Sequence, residues 1–186
     1  AGNCKLAIEN ASESLHHMGV HSESVEPYMP GRSTYVREIT NHWAETRTPI
    51  LPDVAAKYGI RLDYPTRLTA DDRAELKTVT VFPAFQLITA GDLILWFSFR
   101  PLAVDRIDVW SGALYPPSAL VVEPDLERLR ADLRRSLDVV NGEDEQAIAV
   151  LQRSASARYA TRGCLSAKEG GLGGFHRYLA RQLSGS

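Results

Sequence analysis

Between Thr78 and Leu114 the chain passes through four β-forming stretches separated by turn residues, and beyond Pro124 its leucines recur at helical steps. That succession limits the available folds more than any other feature. Thr78–Phe82 stops at Pro83, Phe85–Thr89 and Leu93–Phe99 flank a Gly91-Asp92 turn as a hairpin, and Arg106–Leu114 is closed by Pro116-Pro117. Together they predict an antiparallel, meandering sheet. Tyr35–Thr40 and His42–Thr48 add strand candidates upstream. Leu126, Leu129, Leu133, Leu137 and Val140 form the apolar face of a helix, with Pro124 tolerated in its first turn. Asn141-Gly142 is expected to break that helix, and a second then carries Ile148, Leu151 and Ala155 on one side. Gly170–Gly174 reads as a flexible connector and Phe175–Leu183 as a short terminal helix. Residues 3–17, free of Pro and Gly, predict an opening helix. Residues 22–33 read as loop, and Pro49–Asp71 as irregular with a short helix at Asp53–Tyr58. Helix, then strands, then long helices is an α+β order.

The opening segment carries the chemistry. Three histidines (His16, His17, His21) and two glutamates (Glu9, Glu13) lie between Asn3 and His21. Neutral imidazole coordinates iron, zinc and copper well, so this run reads as half of a metal site. On a regular helix, residues five apart lie about 140° apart around the axis, so spacing alone pairs His17 with His21, four apart. Gly19 offers a place where the helix ends and His21 swings back toward His16. The His-Glu-x-x-His arrangement of zinc hydrolases is absent.

Asn3-x-Lys5-Leu6-x-x-Glu9-Asn10, followed by Glu13-x-x-His16 and His21, resembles the catalytic domain of Rieske-type non-haem iron oxygenase α subunits. The resemblance continues at Asp144 with Gln152 eight residues on, through Val79–Leu87 and Asp92–Pro101, and at Gly163–Glu169 and Phe175–Tyr178. It implies a helix-grip (START/Bet v 1-like) fold, with a long C-terminal helix across a curved antiparallel sheet. It implies Fe(II) held by His16, His21 and Asp144, and so favours His16 over His17. Glu13 then links an iron-ligating histidine to a cluster-ligating histidine of the neighbouring subunit, and Asn10 lies near the iron. The implied activity is activation of O2 to hydroxylate or demethylate an apolar or aromatic small molecule. Departures fall on Cys4, Ala11, Leu15 and Ala84, where the family carries three aromatics and an Asn. These bear on substrate class more than on metal binding. Phe82, Phe85, Leu87, Leu95 and Phe97 are the candidate pocket wall, and Trp43, Trp96 and Trp110 are expected in core or pocket wall.

A Rieske [2Fe–2S] cluster needs two Cys and two His on one small domain. The two cysteines, Cys4 and Cys164, belong to no Cys-x-His or Cys-x-x-His element. Residues 1–186 therefore read as one mononuclear-iron domain. The cluster is expected on a missing domain or a partner, fed by a reductase or ferredoxin, and the chain is expected to be inactive without it. The family implies a homotrimer. The cysteine usage suggests a reduced, cytoplasmic setting. A formal charge of −2 implies no general affinity for nucleic acid or acidic membranes. Bland alternatives exist at each point. Asn141 and Asp144 have the spacing of a helix-capping pair, and Arg128, Arg130, Arg134 and Arg135 read as a solvated helix face. The whole chain could instead be a non-catalytic helix-grip module that binds an apolar ligand.

Overall fold

The structure, a computed structural model, describes residues 2–57, 68–91, 93–122, 124–155, 157–161 and 163–185. Asn3 caps the first helix, α1 (Cys4–Ala11), by accepting from the Lys5 N–H at 2.9 Å. The helix expected over 3–17 ends at Ala11, because polar side chains there compete for its backbone groups. Ser12 Oγ donates to the Ile8 carbonyl at 2.6 Å, and the Glu13 carboxylate accepts from the N–H groups of Leu15 and His16. A 3₁₀ turn at Leu15–Met18 follows, and another at Gly31–Ser33.

Among the described residues, six strands then form one fully antiparallel, curved sheet in sequence order: β1 (Tyr35–Ile39), β2 (Trp43–Pro49), β3 (Glu75–Val81), β4 (Phe85–Ala90), β5 (Leu93–Ala103) and β6 (Arg106–Leu114). The described residues between β2 and β3 include the short helices α2 (Pro52–Lys57) and α3 (Ala70–Arg73). Tyr58 and Asp92, at the ends of the predicted short helix and turn, lie outside the described residues. After α4 (Ala119–Val122) come the long helix α5 (Leu126–Ser154) and the terminal α6 (Gly170–Ser184). This is the expected helix-grip arrangement.

Two predicted interruptions are absent. Asp125, not a residue of the Asn141 region, caps α5 by accepting from the Arg128 N–H, and Pro124 precedes that cap. The helix runs unbroken for 29 residues through Asn141-Gly142. A mid-helix Gly costs about 1 kcal/mol relative to Ala. The buried Leu129 and Ile148, and the side-chain bonds of residues 143 and 144 described below, outweigh it. Asp144 is therefore mid-helix and no part of a capping pair.

Gly170–Gly174 is the first part of α6 rather than a connector. The glycines let that helix approach β1, β2 and the end of α1. A Cβ at Gly171 would stand 2.8 Å from the Ser12 carbonyl oxygen, and one at Gly174 would stand 2.8 Å from Ile39 Cγ2. Phe175, 1 % exposed, packs here against Phe82, with ring centroids 5.7 Å apart.

The helices cover one face of the sheet and leave a cavity of about 720 Å³ between that face and α5. Strand alternation decides what lines it. Gln86 pairs with Phe97 and Ile88 with Leu95, and all four line the cavity. Phe85 and Leu87 fall on the opposite face, and Phe82 turns toward α6. Of the five expected wall residues only Leu95 and Phe97 line the cavity. None of the tryptophans does: Trp110 is 55 % exposed, with the Arg100 guanidinium 4.9 Å from its ring centroid. Arg130 and Arg135 are exposed on α5 and pair with Glu127 and Asp132, whereas Arg128 and Asp132 line the cavity. No helix among the described residues is long and apolar enough to cross a membrane.

Candidate metal centre

Three elements meet at one end of the cavity. Helix α1 contributes Asn10, the 3₁₀ turn contributes His16 and His17, and α5 contributes Glu143 and Asp144. His21 enters just past Gly19. The tight turn removes the helical obstacle to pairing His16 with His21. Val20 N–H donates to the His16 carbonyl at 2.7 Å and His21 N–H to the His17 carbonyl at 3.1 Å, which folds the segment back on itself. The His16 and His21 ring centroids lie 5.1 Å apart.

His21 Nε2 stands 3.0 Å and His16 Nε2 3.6 Å from Asp144 Oδ1. One ligand atom from each of these three side chains lies within 4.8 Å of the other two, the donor set of a two-histidine, one-carboxylate site. His17, the alternative that spacing favours, is not in this group. Its Nδ1 lies 3.2 Å from the Met29 carbonyl oxygen.

Each converging imidazole is held from behind by a carboxylate. His16 Nδ1 lies 2.6 Å from Glu13 Oε1, and His21 Nδ1 lies 2.7 Å from Glu143 Oε2. Such a partner places the proton on Nδ1, fixes the ring, and presents Nε2 as the lone pair for a metal. Ser24 Oγ in turn donates to Glu143 Oε2 at 2.5 Å, and Asn10 Nδ2 donates to Asp144 Oδ1 at 2.7 Å. Glu143 is the site residue that the sequence reading missed. Its signal was its position beside Asp144: neighbours on a helix point about 100° apart, so one can face the metal position and the other the far side of His21. Gln152, matched by the family pattern, accepts from the Asn3 N–H at 2.7 Å and ties α1 to α5.

Burial opposes charge on His21, which is 1 % exposed, but its bonds to Asp144 and Glu143 outweigh that and raise its pKa above 6.5. Burial also opposes charge on Asp144, but bonds from His21 and Asn10 hold it below 3.8. Burial, with His16 beside it, brings His17 down to about 4. A raised imidazole stabilises the fold below 6.5 and loses that contribution as pH rises through its raised value. A lowered carboxylate stabilises it above 3.8 and loses that contribution as pH falls through its lowered value. In chelator-treated protein, the contribution of this pair to stability is therefore expected to be largest between pH 3.8 and 6.5 and to decline on both sides. Urea midpoints from acid to alkaline pH check this, and Asp144→Asn is expected to flatten the profile.

The family model for the ring-hydroxylating α subunit (catalytic domain) matches residues 1–185. No curated protein matches the chain. Among solved structures, one similar fold is a quaternary ammonium Rieske monooxygenase, described for carnitine oxidation by gut microbiota and inter-subunit electron transfer. Its TM-score is 0.69 at 16% identity, over 97% of this chain and 47% of that one. Dicamba monooxygenase bound to 3,6-dichlorosalicylic acid gives a TM-score of 0.68 at 10% identity, over 100% and 57%. The chain thus spans about half the length of these structures. With a family match over nearly every residue, and with a helix-grip fold, the chain belongs to the ring-hydroxylating oxygenase α subunits, as their catalytic domain.

Proposed function

We propose that His16, His21 and Asp144 hold one ferrous ion and that the cavity beside it receives an apolar or aromatic substrate. The observation that carries this reading is the convergence of the three ligand atoms, with both imidazoles anchored through Nδ1, at the wall of a largely apolar cavity. Two neutral imidazoles and one carboxylate suit Fe(II) and leave one side of the metal open. Bound there, the iron supplies O2 activation for hydroxylation, dihydroxylation or demethylation of the substrate.

The protein's part is to position and exclude. Asn10 holds the Asp144 carboxylate in place, Glu13 and Glu143 set the two imidazole tautomers, and the apolar walls keep water from the reacting atoms. A metal here would compete with a proton for the His21 imidazole, whose pKa is raised by Asp144 and Glu143, so affinity rises with pH. In this reading Glu13 also links His16 to a histidine of a [2Fe–2S] cluster on another domain or subunit. The inter-subunit electron transfer described for the quaternary ammonium monooxygenase supports that route. A reductase or ferredoxin supplies the cluster, three copies assemble so that cluster and iron meet across subunits, and the setting is cytoplasmic. This chain alone does not turn over.

Anaerobic loading with Fe(II), followed by desalting and metal analysis, tests the reading. About one iron per chain is expected, with a nitric oxide adduct whose paramagnetic resonance reports an open coordination position. A chain that retains no iron sinks the proposal and leaves the apolar-ligand module, which gives no reason for the three ligand atoms to converge. Glu143→Gln is expected to weaken iron binding by about 10- to 100-fold without unfolding the chain, because His21 loses the partner that fixes its ring. Competition with a chelator measures that loss.

A further inference from the structure

The cavity wall is mostly apolar, with Leu95, Ile107, Leu133, Leu137 and Ile148 among its residues. In such a pocket a few polar groups set how an apolar molecule lies. Several of those groups are already engaged. The Asn10 amide donates to Asp144, the Gln86 amide donates to the Ala11 carbonyl, and His16 and His21 are committed to the metal position.

His17 differs. A carbonyl oxygen only accepts, so Nδ1, 3.2 Å from the Met29 carbonyl, carries the ring proton. The neutral ring then offers Nε2 as an acceptor, and Nε2 makes no hydrogen bond among the described residues. The Met29 backbone that holds the ring is itself anchored, its N–H donating to the Val25 carbonyl at 3.0 Å. The ring lines the cavity with its centroid 4.9 Å from that of His16 and 5.6 Å from that of His21.

We infer that His17 Nε2 orients the substrate, selecting apolar or aromatic molecules that carry a hydroxyl or ring N–H close to the atom to be oxidised. The inference rests on the iron reading for the position of that atom; the hydrogen bond itself does not need the metal. A molecule without the donor leaves a buried acceptor unpaired, whereas a molecule with it gains a bond.

The test is calorimetric titration of the chelator-treated chain with naphthol and with its methyl ether, which differ in the O–H donor. Wild-type protein is expected to prefer naphthol by about tenfold, equivalent to about 1.4 kcal/mol. The preference is expected to fall to about twofold or less in His17→Leu and in His17→Phe, which keeps a ring without the acceptor. His17→Gln, which supplies an amide oxygen, is expected to restore part of it. Equal affinities in wild-type protein, no binding of either probe, or a preference that survives both His17→Leu and His17→Phe overturns the inference. Iron analysis runs in parallel. A His17-dependent preference in a chain that never retains iron removes the iron reading and leaves this one standing.

Discussion

Asp144→Ala is expected to lower iron from about one per chain to below about one tenth under identical anaerobic loading, a loss of at least ~100-fold in affinity, or about 3 kcal/mol. The expectation follows from where this carboxylate sits. Its Oδ1 is the atom that both His16 Nε2 and His21 Nε2 approach, at 3.6 and 3.0 Å, so its removal takes away the one carboxylate of the three converging side chains and the centre of the cluster together. The same change orphans Asn10 Nδ2 and His21 Nε2, and an unsatisfied buried group costs about 1–3 kcal/mol. A fall in iron could therefore reflect a loosened fold. Asp144→Asn separates the two effects. It keeps an oxygen for Asn10 and His21 to donate to but removes the negative charge, so its fold is retained while its iron affinity still drops well below wild type. Metal analysis read beside urea midpoints for both variants decides the matter. Iron retention equal to wild type in both variants would remove Asp144 from the site.

The strands were readable because their ends carry chemical punctuation: Pro83, the residues around Gly91, and Pro116-Pro117 stop runs of β-branched and aromatic residues close to where the strands end. Which face each residue occupies was not readable in β4. Phe85, Leu87 and Ile88 are all apolar, so the pattern lacks the polar alternation that distinguishes inside from outside, and only the register with β5 assigns Gln86 and Ile88 to the cavity. Glycine misled twice for one reason. Local propensity treats Gly142 and the 170–174 run as breaks, whereas tertiary contacts hold α5 straight through the first and need the second for close helix–sheet approach. At the site, the distant Asp144 followed from the family motif and not from any local signal. Glu143 went unseen because its role depends on the crossing of α5 over the segment around His21, which one-dimensional spacing does not contain.

The choice between adjacent histidines gives the second large expected effect: His16→Ala abolishes iron retention, and His17→Ala leaves about one iron per chain. Helical geometry alone argues the reverse, since four-residue spacing stacks His17 over His21. The outcome turns on the 3₁₀ turn at Leu15–Met18, which follows the end of α1 at Ala11. There the Glu13 carboxylate takes the N–H groups of Leu15 and His16 and also His16 Nδ1, so one side chain both shapes the turn and aims the ring. His17 spends its Nδ1 on the Met29 carbonyl and stands outside the cluster of ligand atoms. Paired metal analysis of the two variants, with the nitric oxide adduct of His17→Ala compared with wild type, reads the result directly. If His17→Ala loses the metal while His16→Ala keeps it, the ligand assignment moves by one residue, and Glu13 no longer contacts a ligand through its hydrogen bond to His16.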